Sequence, residues 1–339
     1  MGRSTLRLTA VAIVTGALST LGSTAPASPR TIDTTSLVAA AIPVDPIDRR
    51  PERIPPATPS TVAFPAQPLP TAVARPAPTP RPIPAPVIDA QAVALVNLDT
   101  GRFLWQSNGR AAWAPASLTK MMTAMVAVDL MGLNSVVTVP DSIRQLPADS
   151  TFMGLTPGER VTVRELLYGV FLTSGNDAAE TLASAATSRS TFIADMNARA
   201  ARLGLKTTHF LNPTGLDGAG HYSSAVDLAM AAVYLESHYQ SLVGIAATPA
   251  ITLPATAAHK AYALVNLDKL LRTYPGAYGL KTGWTEQALG CLITTSSRAG
   301  HRLLAVLLGA PNGTAYAQMP KVLDYGFELL GVLPPPPGT

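Results

Sequence analysis

Cysteine and charge are both scarce in this chain of 339 residues, and each scarcity excludes a class of protein. Cys291 is the only cysteine, which excludes an internal disulfide, a thiolate zinc site and a CxxC redox centre. Charged residues make up 14% of the sequence and apolar residues 47%, a composition too apolar for an intrinsically disordered protein. The length fits one large domain with additional segments, or two small domains.

The formal net charge of +4 lies entirely in the first quarter of the chain. Residues 1–87 contain 8 Lys and Arg against 4 Asp and Glu, whereas residues 88–339 contain 17 of each kind. A basic groove for phosphates is therefore not expected in the globular part, and we predict no nucleic-acid partner.

Metal and cofactor sites are not expected either. The five histidines are scattered, without a pair at positions i and i+4, so the sequence predicts no metal site. The glycine-rich stretch 215–220 lacks the preceding strand and the following lysine of a phosphate-binding loop, and we interpret it as a turn. We predict that the protein needs no cofactor.

The N-terminus has the pattern of an export signal. Arg3 and Arg7 precede an apolar stretch over residues 8–21, and the small-residue site Ala25-Pro26-Ala27 follows. The stretch is shorter than the roughly 20 residues of a spanning helix. We expect residues 1–27 to be a signal peptide, with a retained N-terminal anchor as the alternative. Both interpretations place the body of the protein outside the cytoplasm, in the periplasm or cell wall.

Proline dominates the segment that follows, with 15 prolines between residues 43 and 86. Proline removes backbone donors and favours extended polyproline II, so residues 28–88 are predicted to be a disordered linker. Six arginines in it offer contacts to an anionic membrane or wall surface, although a solvated linker without a partner is the favoured alternative. They are Arg30, Arg49, Arg50, Arg53, Arg75 and Arg81. Residues 333–339 form a short tail.

Residues 89–332 show strand patterns at both ends and helical patterns between them. Two β-type runs, 92–98 and 102–106, flank the hairpin signal Asp99-Thr100-Gly101, and a helix is predicted over 118–131. The other helical patterns cover residues 161–172, 177–186, 191–203, 224–237 and 316–330. Further strands are predicted at 278–282, 291–297 and 302–308, the last two joined by a four-residue turn, 298–301. This order predicts an α+β domain in which an antiparallel sheet is closed by the two chain ends around a helical insert.

Two of the chain's six lysines occur in short sequence strings that are typical of a catalytic or ligand-binding site. Lys120 follows Ser117 by three residues in the first turn of a helix, a spacing that puts both side chains on one face. A neutral amine there can take the serine proton, and the N–H groups of a helix start favour developing negative charge. Lys281 begins Lys281-Thr282-Gly283 on a predicted strand, where glycine lets a ligand backbone approach the strand edge.

A third string, Ser174-Gly175-Asn176, lies between two predicted helices. Taken singly, the three strings are explained by a capping serine, a turn and a strand end. All three together are expected by chance in about one such chain in a hundred. The set therefore favours a catalytic site over three unrelated local features.

The order Ser-x-x-Lys, Ser-x-Asn, Lys-Thr-Gly is the motif set of penicillin-binding proteins and β-lactamases. From about residue 92 to residue 330 the chain resembles the low-molecular-mass penicillin-binding proteins, the serine D-alanyl-D-alanine carboxypeptidases. The strings that carry this resemblance are Pro115-Ala116-Ser117, Ser174-Gly175-Asn176-Asp177-Ala178-Ala179, Asn212-Pro213-Thr214-Gly215-Leu216-Asp217 and Gly279-Leu280-Lys281-Thr282-Gly283-Trp284-Thr285. The resemblance implies the DD-peptidase/β-lactamase (transpeptidase-like) fold: a five-stranded antiparallel sheet with flanking helices and a helical subdomain.

The resemblance also implies a role for each motif residue. Ser117 is expected to be the acylated nucleophile and Lys120 its general base, with Ser174 passing a proton to the leaving group. Asn176 is expected to hold the acylated peptide, and Lys281 and Thr282 to bind the terminal carboxylate of the donor. Gly283 and Trp284 complete the substrate-binding set. The N–H groups of Ser117 and Trp284 are expected to form the oxyanion hole, although packing on the sheet face is an equal alternative for the Trp284 side chain.

The implied function is removal of the terminal D-alanine from peptidoglycan stem pentapeptides by a monomeric enzyme, with β-lactam antibiotics as covalent inhibitors. A class A-like β-lactamase is one alternative, but such an enzyme needs a glutamate to activate the deacylating water, and the chain has none between Glu180 and Glu236. A non-catalytic peptidoglycan-binding protein is the other alternative, and the intact motif residues argue against it.

Overall fold

The computed structural model describes residues 82–333, and its centre is a five-stranded antiparallel sheet. Numbered along the chain, its strands are β1 (Ala92–Asn97), β2 (Arg102–Ser107), β7 (Ala277–Thr285), β8 (Leu289–Arg298) and β9 (His301–Ala310). They lie side by side in the order β2-β1-β9-β8-β7. Strand β1 pairs with β9, with Ala94 opposite Val306. The first and last parts of the domain therefore close one sheet, as the sequence predicts.

Both faces of the sheet are covered, and the alternation of side chains along β1 shows how. Ala94 and Val96 belong to the core that the sheet shares with the larger helical layer, whereas Val93 and Leu95 pack in a second core with the last helix. All six residues of β1 are consequently buried. The sheet is the middle of three layers, which is the arrangement that a two-sided apolar strand requires.

The helices fill the region between β2 and β7, except for the last, which follows β9. They are α1 (Lys120–Met131), α2 (Val163–Leu172), α3 (Asn176–Ala186), α4 (Arg189–Arg202), α5 (Ala225–His238), α6 (Gln240–Ala246), α7 (Leu270–Thr273) and α8 (Ala315–Leu329). Short 3-10 turns occur at Ala116–Thr119 and Asp141–Gln145. The predicted helix over 118–131 therefore begins as a 3-10 turn that carries Ser117 and becomes α-helical at Lys120.

The prediction for the start of α2 was wrong by two residues. The strand β4 (Arg160–Thr162) pairs with β3 (Val136–Thr138), and helix α2 begins only at Val163. The Thr162 side chain accepts a hydrogen bond from the Glu165 N–H, and the Glu165 carboxylate accepts one from the Thr162 N–H. This capping box fixes the start of the helix at Val163. The prediction began too early because the apolar periodicity of the sequence continues into strand β4.

The predicted four-residue turn at 298–301 is confirmed, because Arg298 and His301 pair across the two strands and close it. The turn itself is Ala299-Gly300, with φ values of 50° and 80°. A two-residue turn with positive φ at both positions has the twist that neighbouring strands need. A second small hairpin, β5 (Ala250–Leu253) with β6 (Tyr262–Val265), was not predicted.

The described range covers the predicted domain at residues 89–332. Residues 82–88 precede it without helix or strand. The predicted signal peptide, the linker up to residue 81 and residues 334–339 of the tail lie outside the described residues. Within 82–333, no helix combines the length and the apolar character needed to cross a membrane.

Candidate active site

A cleft of about 930 Å³ lies beside strand β7 and receives side chains from all three sequence motifs. Ser117, Ser174, Asn176 and Thr282 line it, together with Gly283 and Trp284. Lys120 and Lys281 lie beneath this lining, with 0% and 1% of their surfaces exposed. The fold thus brings together all eight residues singled out from the sequence.

Ser117 lies in the 3-10 turn before α1, between two backbone segments that approach it closely. Ala116 has a φ of 47°, a left-handed conformation that turns the chain sharply into the helix. A Cβ on Gly215 would lie 1.9 Å from the Ala116 carbonyl oxygen, and a Cβ on Gly283 would lie 3.0 Å from the Ser117 nitrogen. Gly215 is therefore required by contact, since any side chain there would push the nucleophile turn away, whereas a Cβ at Gly283 would need the turn to move by only a few tenths of an ångström.

Lys120 has three oxygen partners within hydrogen-bond distance of its Nζ. Ser117 Oγ lies at 2.8 Å, Asn176 Oδ1 at 2.7 Å and the Thr214 carbonyl oxygen at 2.7 Å. Complete burial lowers the pKa of Lys120 well below its ordinary value, and the nearby charge of Lys281 lowers it further. A neutral amine donates two hydrogen bonds and accepts one. It can therefore donate to the amide and the carbonyl and accept the proton of the serine hydroxyl.

Ser174 and Lys281 form the second contact of the site. Lys281 Nζ donates to Ser174 Oγ at 3.0 Å and to the Thr282 carbonyl oxygen at 2.8 Å. Burial lowers the pKa of Lys281 to about 7, against the opposing influence of Asp268. An ammonium with two neutral partners retains a third donor for an anion in the cleft. The site thus combines a serine nucleophile, an uncharged amine as base and a second lysine, Lys281, that gains its positive charge near neutral pH.

Comparison with known proteins identifies the family. Residues 79–312 match the S11 peptidase family profile, described as D-alanyl-D-alanine carboxypeptidase. The chain belongs to this family.

Two relatives among the D-alanyl-D-alanine carboxypeptidases illustrate the match. DacF of Bacillus subtilis is 37% identical over 246 residues, which cover 71% of this chain and 62% of that protein. DacB2 of Mycobacterium tuberculosis is 35% identical over 247 residues, which cover 71% of this chain and 83% of that protein. The chain thus matches less than two thirds of the length of the Bacillus relative.

Solved structures of the family have the same fold. The D-alanyl-D-alanine carboxypeptidase of Mycobacterium tuberculosis superimposes with a TM-score of 0.67 at 34% identity, covering 73% of this chain and 94% of that one. The Streptomyces K15 DD-transpeptidase gives a TM-score of 0.67 at 29% identity, covering 73% and 100%. The predicted DD-peptidase fold, with its five-stranded antiparallel sheet, is confirmed.

The Ser-x-Asn turn of this family member is held by a loop that precedes α2 in the chain. Ser174 has a φ of 58°, and its carbonyl oxygen accepts a hydrogen bond from Thr151 Oγ1 at 2.7 Å. The Asp177 carboxylate, buried at the start of α3, accepts hydrogen bonds from three backbone N–H groups of that loop. These belong to Met153, Gly154 and Leu155. The loop therefore braces the strained serine in place, and the sequence did not single out Asp177 for this.

Trp284 lies on the wall of the cleft, not in the packed face of the sheet. Its side chain is 56% exposed, and its Nε1 donates to Asn312 Oδ1 at 2.8 Å. The hydrogen bond fixes the orientation of the indole ring next to Gly283. Of the two interpretations that the sequence left open for this side chain, the position agrees with the cleft wall.

Sequence reasoning missed further residues that support the site. The carbonyl of Thr214, within a string that carried the family resemblance, is a partner of the buried Lys120 amine. His221 accepts a hydrogen bond from the Leu211 N–H at its Nδ1, and its Nε2 lies 2.9 Å from Thr119 Oγ1. Burial lowers the pKa of His221 to about 4, so the ring is neutral and carries its proton on Nε2. The contacts of Lys120 with Thr214 and of His221 with Thr119 join residues 94 and 102 positions apart, so no local pattern reveals them.

Proposed function

We propose that this protein is a serine D-alanyl-D-alanine carboxypeptidase that removes the terminal D-alanine from peptidoglycan stem pentapeptides through an acyl-enzyme on Ser117. The proposal rests above all on the contact of the wholly buried Lys120 amine with Ser117 Oγ at 2.8 Å. Such an amine is a competent base, because its pKa lies well below the ordinary value for lysine. Family membership supports this activity over the β-lactamase and the non-catalytic binding protein.

In the acylation half, Ser117 Oγ attacks the carbonyl carbon of the penultimate D-alanine while its proton passes to Lys120 Nζ. The oxyanion that forms accepts hydrogen bonds from the N–H groups of Ser117 and Trp284, which are fixed before the reaction and need not reorganise. Ser174 then passes a proton to the nitrogen of the leaving D-alanine as the C–N bond breaks, and the proton held by Lys120 replaces it, so both groups return to their starting protonation states. The peptide remains as an ester on Ser117.

In the deacylation half, a water molecule takes the place of the departed D-alanine. Lys120 or Ser174 removes a proton from the water as its oxygen attacks the ester carbonyl. The ester bond breaks, Ser117 Oγ regains a proton, and the shortened peptide leaves with a new carboxyl group. The proton taken from the water replaces the one that Ser117 gave up in acylation, so the base ends in its starting protonation state.

Substrate recognition is assigned to the remaining motif residues. Lys281 and Thr282 bind the terminal carboxylate, Asn176 binds the backbone of the acyl portion, and Gly283 and Trp284 form the adjoining wall. A β-lactam presents a carboxylate and a reactive carbonyl to the same groups, so it acylates Ser117 as an inhibitor. The catalytic domain comprises residues 89–332.

Cell-wall function agrees with the family, and we propose that the chain reaches that location by export. Residues 1–27 act as a signal peptide or a retained anchor, and the basic, proline-rich residues 28–88 serve as a spacer between membrane or wall and the domain. N-terminal sequencing of the exported protein distinguishes the two: a start near Ser28 indicates cleavage, and a start at Met1 or Gly2 indicates an anchor.

The activity is tested by measuring D-alanine released from a stem pentapeptide that ends in D-alanyl-D-alanine. We expect release by the purified protein, no release from the same peptide ending in L-alanine, and no release by Ser117→Ala. Binding of the peptide without any D-alanine release would contradict the proposal and favour the non-catalytic alternative.

A further inference from the structure

The indole of Trp284 is a large apolar surface that is exposed inside the cleft. Trp284 lines the cleft, and 56% of its surface is exposed. The indole N–H, at Nε1, donates to Asn312 Oδ1 at 2.8 Å and so holds the ring in one orientation. An aromatic ring that is both exposed and fixed is a preformed binding surface, because little conformational entropy is lost when a ligand covers it.

Asn312 is itself held in place by the turn that connects β9 with α8. The Thr314 N–H and the Thr314 hydroxyl both donate to the Pro311 carbonyl oxygen, at 2.9 Å and 2.8 Å. Gly313, the third residue of this turn, has a φ of 79°, a value that glycine adopts without strain. Thr314 Oγ1 also accepts a hydrogen bond from Gln318 Nε2 at 2.7 Å, which ties the turn to α8. The acceptor of the indole N–H therefore lies on a fixed backbone.

The same connection supports a second exposed apolar side chain of the cleft. Tyr316, in the first turn of α8, donates from its hydroxyl to the Leu267 carbonyl oxygen at 2.8 Å. Leu267 also lines the cleft, and 45% of its surface is exposed. Residues 312–316 thus hold two apolar parts of the cleft wall, one through Asn312 and the other through Tyr316.

The order of residues along β7 indicates which part of a substrate lies at Trp284. Lys281 and Thr282, the residues assigned to the terminal carboxylate, come first in the strand. Gly283 follows next to the nucleophile turn, and Trp284 comes directly after it. A donor peptide with its carboxylate at Lys281 and its scissile carbonyl at Ser117 therefore continues towards Trp284. The exposed indole lies on the side of the acyl portion, away from the leaving D-alanine.

We propose that Asn312 is a positioning residue for substrate specificity, which fixes the Trp284 indole as a binding surface for an aliphatic segment of the acyl portion. The inference rests on the proposed function, because it assumes that the carboxylate end of the donor lies at Lys281. A bound acyl chain covers the indole and excludes water from the hydrogen bond between Nε1 and Asn312 Oδ1, which strengthens that bond. Asn312 thereby favours donors that extend beyond the penultimate D-alanine, without touching the substrate.

The test compares two substrates that differ in the part that extends towards the indole. One is the stem pentapeptide, and the other is N-acetyl-D-alanyl-D-alanine, which has the same last two residues and only an acetyl group before them. kcat and KM are measured on both with the full-length wild type and with Asn312→Ala. We expect kcat/KM on the pentapeptide to fall about three- to fivefold, mainly through KM, as for loss of one hydrogen bond between uncharged groups. The dipeptide is expected to keep its wild-type kcat/KM.

Two further variants separate this role from a structural one. Asn312→Asp keeps an acceptor oxygen in the same place, and it is expected to retain the wild-type preference for the pentapeptide. Asn134→Ala removes an exposed asparagine between α1 and β3, outside the cleft, and it is expected to leave both substrates unaffected. Asn312 is also exposed, so its substitution is expected to leave the fold intact.

A double-mutant cycle with Trp284→Phe tests whether Asn312 acts through the indole N–H. Phenylalanine keeps an apolar ring but has no N–H group to donate. In the Trp284→Phe background, Asn312→Ala is therefore expected to cause no further loss of kcat/KM on the pentapeptide.

Equal losses on the pentapeptide and on the dipeptide would overturn the inference, because they indicate a general effect on the oxyanion hole or on the fold. An unchanged KM for the pentapeptide in Asn312→Ala, or a full additional loss in the Trp284→Phe background, would overturn it as well. Failure of the proposed function looks different, since the wild-type protein would then release no D-alanine from either substrate.

Discussion

Lys120 and Lys281 are both withdrawn from water, but their partners differ in a way that separates their roles. The Lys120 amine lies against a hydroxyl, an amide oxygen and a carbonyl oxygen, a set that suits a neutral base. Lys281 has two neutral acceptors, a set that leaves one donor of its ammonium free for an anion. Pairs of titratable groups whose environments differ in this way mark acid–base assignments in active sites.

At the residue scale, Lys281→Ala tests the assignment of the carboxylate. A partly buried charge-assisted contact contributes roughly 2–4 kcal/mol. We therefore expect kcat/KM on the pentapeptide acid to fall by about 30- to 1000-fold. The variant is also expected to discriminate less between the acid and its C-terminal amide. Measuring kcat/KM of the wild type and of Lys281→Ala on both substrates forms a double-mutant-style cycle. A coupling free energy near zero would show that Lys281 does not bind the carboxylate.

At the scale of elements, most of the fold could be predicted from periodicity. Strands β1, β2, β8 and β9 and helices α3, α5 and α8 lie within one or two residues of the predicted ranges. The misses have local physical causes. Strands β3 to β6 have only three or four residues each, too few for an alternation to be recognised.

The residues of the candidate site also fall into two groups: those that a local sequence pattern indicates and those that it does not. Its eight motif residues could be proposed from the sequence because each lies in a short string that is local in the chain, and the structure brings the eight together. The roles of Asp177 and His221 were missed, because their partners lie on other segments of the chain and the strings that contain them do not show those contacts. Tertiary packing creates their roles, so only the folded structure reveals them.

The loop that carries Thr214 provides a prediction at the element scale. Gly215 has a φ of 85°, and a Cβ there would lie 1.9 Å from the Ala116 carbonyl oxygen. Gly215→Ala is therefore expected to displace the nucleophile turn and lower the rate of acylation by penicillin at least tenfold. The matched control is Gly204→Ala, which also has a positive φ, of 71°, but no atom within 4 Å of the added Cβ.

We expect Gly204→Ala to keep the wild-type acylation rate and to lose only about 1–2 kcal/mol of stability from backbone strain. Quenched time courses of penicillin acylation give the acylation rate of each variant, and thermal melts give its stability. Equal acylation rates in the two variants would show that the close approach at Gly215 does not hold the nucleophile.

For the whole molecule, the two buried lysines predict how stability depends on pH. Both have folded-state pKa values below the ordinary 10.5, so above pH 7 the unfolded state binds more protons than the folded state. The free energy of unfolding rises with pH wherever this holds. We expect stability to increase between pH 7.5 and pH 9.5, with Lys281 alone contributing about 2–3 kcal/mol.

Other groups do not reverse this trend within the window. Burial raises the pKa of Tyr278, Tyr316 and Cys291 to about 12, so these groups ionise first in the unfolded state and oppose the rise only towards the upper end of the window. Burial raises the pKa of Glu236 to about 7, so its opposing influence is confined to lower pH. Chemical denaturation at several pH values is the measurement, and Lys281→Met is expected to show a shallower rise. A free energy of unfolding that stays flat or falls across the window would contradict the assigned protonation states.

Acylation of Ser117 is the central claim, and mass spectrometry of the penicillin-treated protein tests it most directly. The account predicts that the intact mass increases by one penicillin molecule and that peptide mapping locates the adduct on Ser117. It also predicts that Ser117→Ala shows no adduct while melting at nearly the wild-type temperature. An adduct on any other residue, or one that persists in Ser117→Ala, would contradict the account.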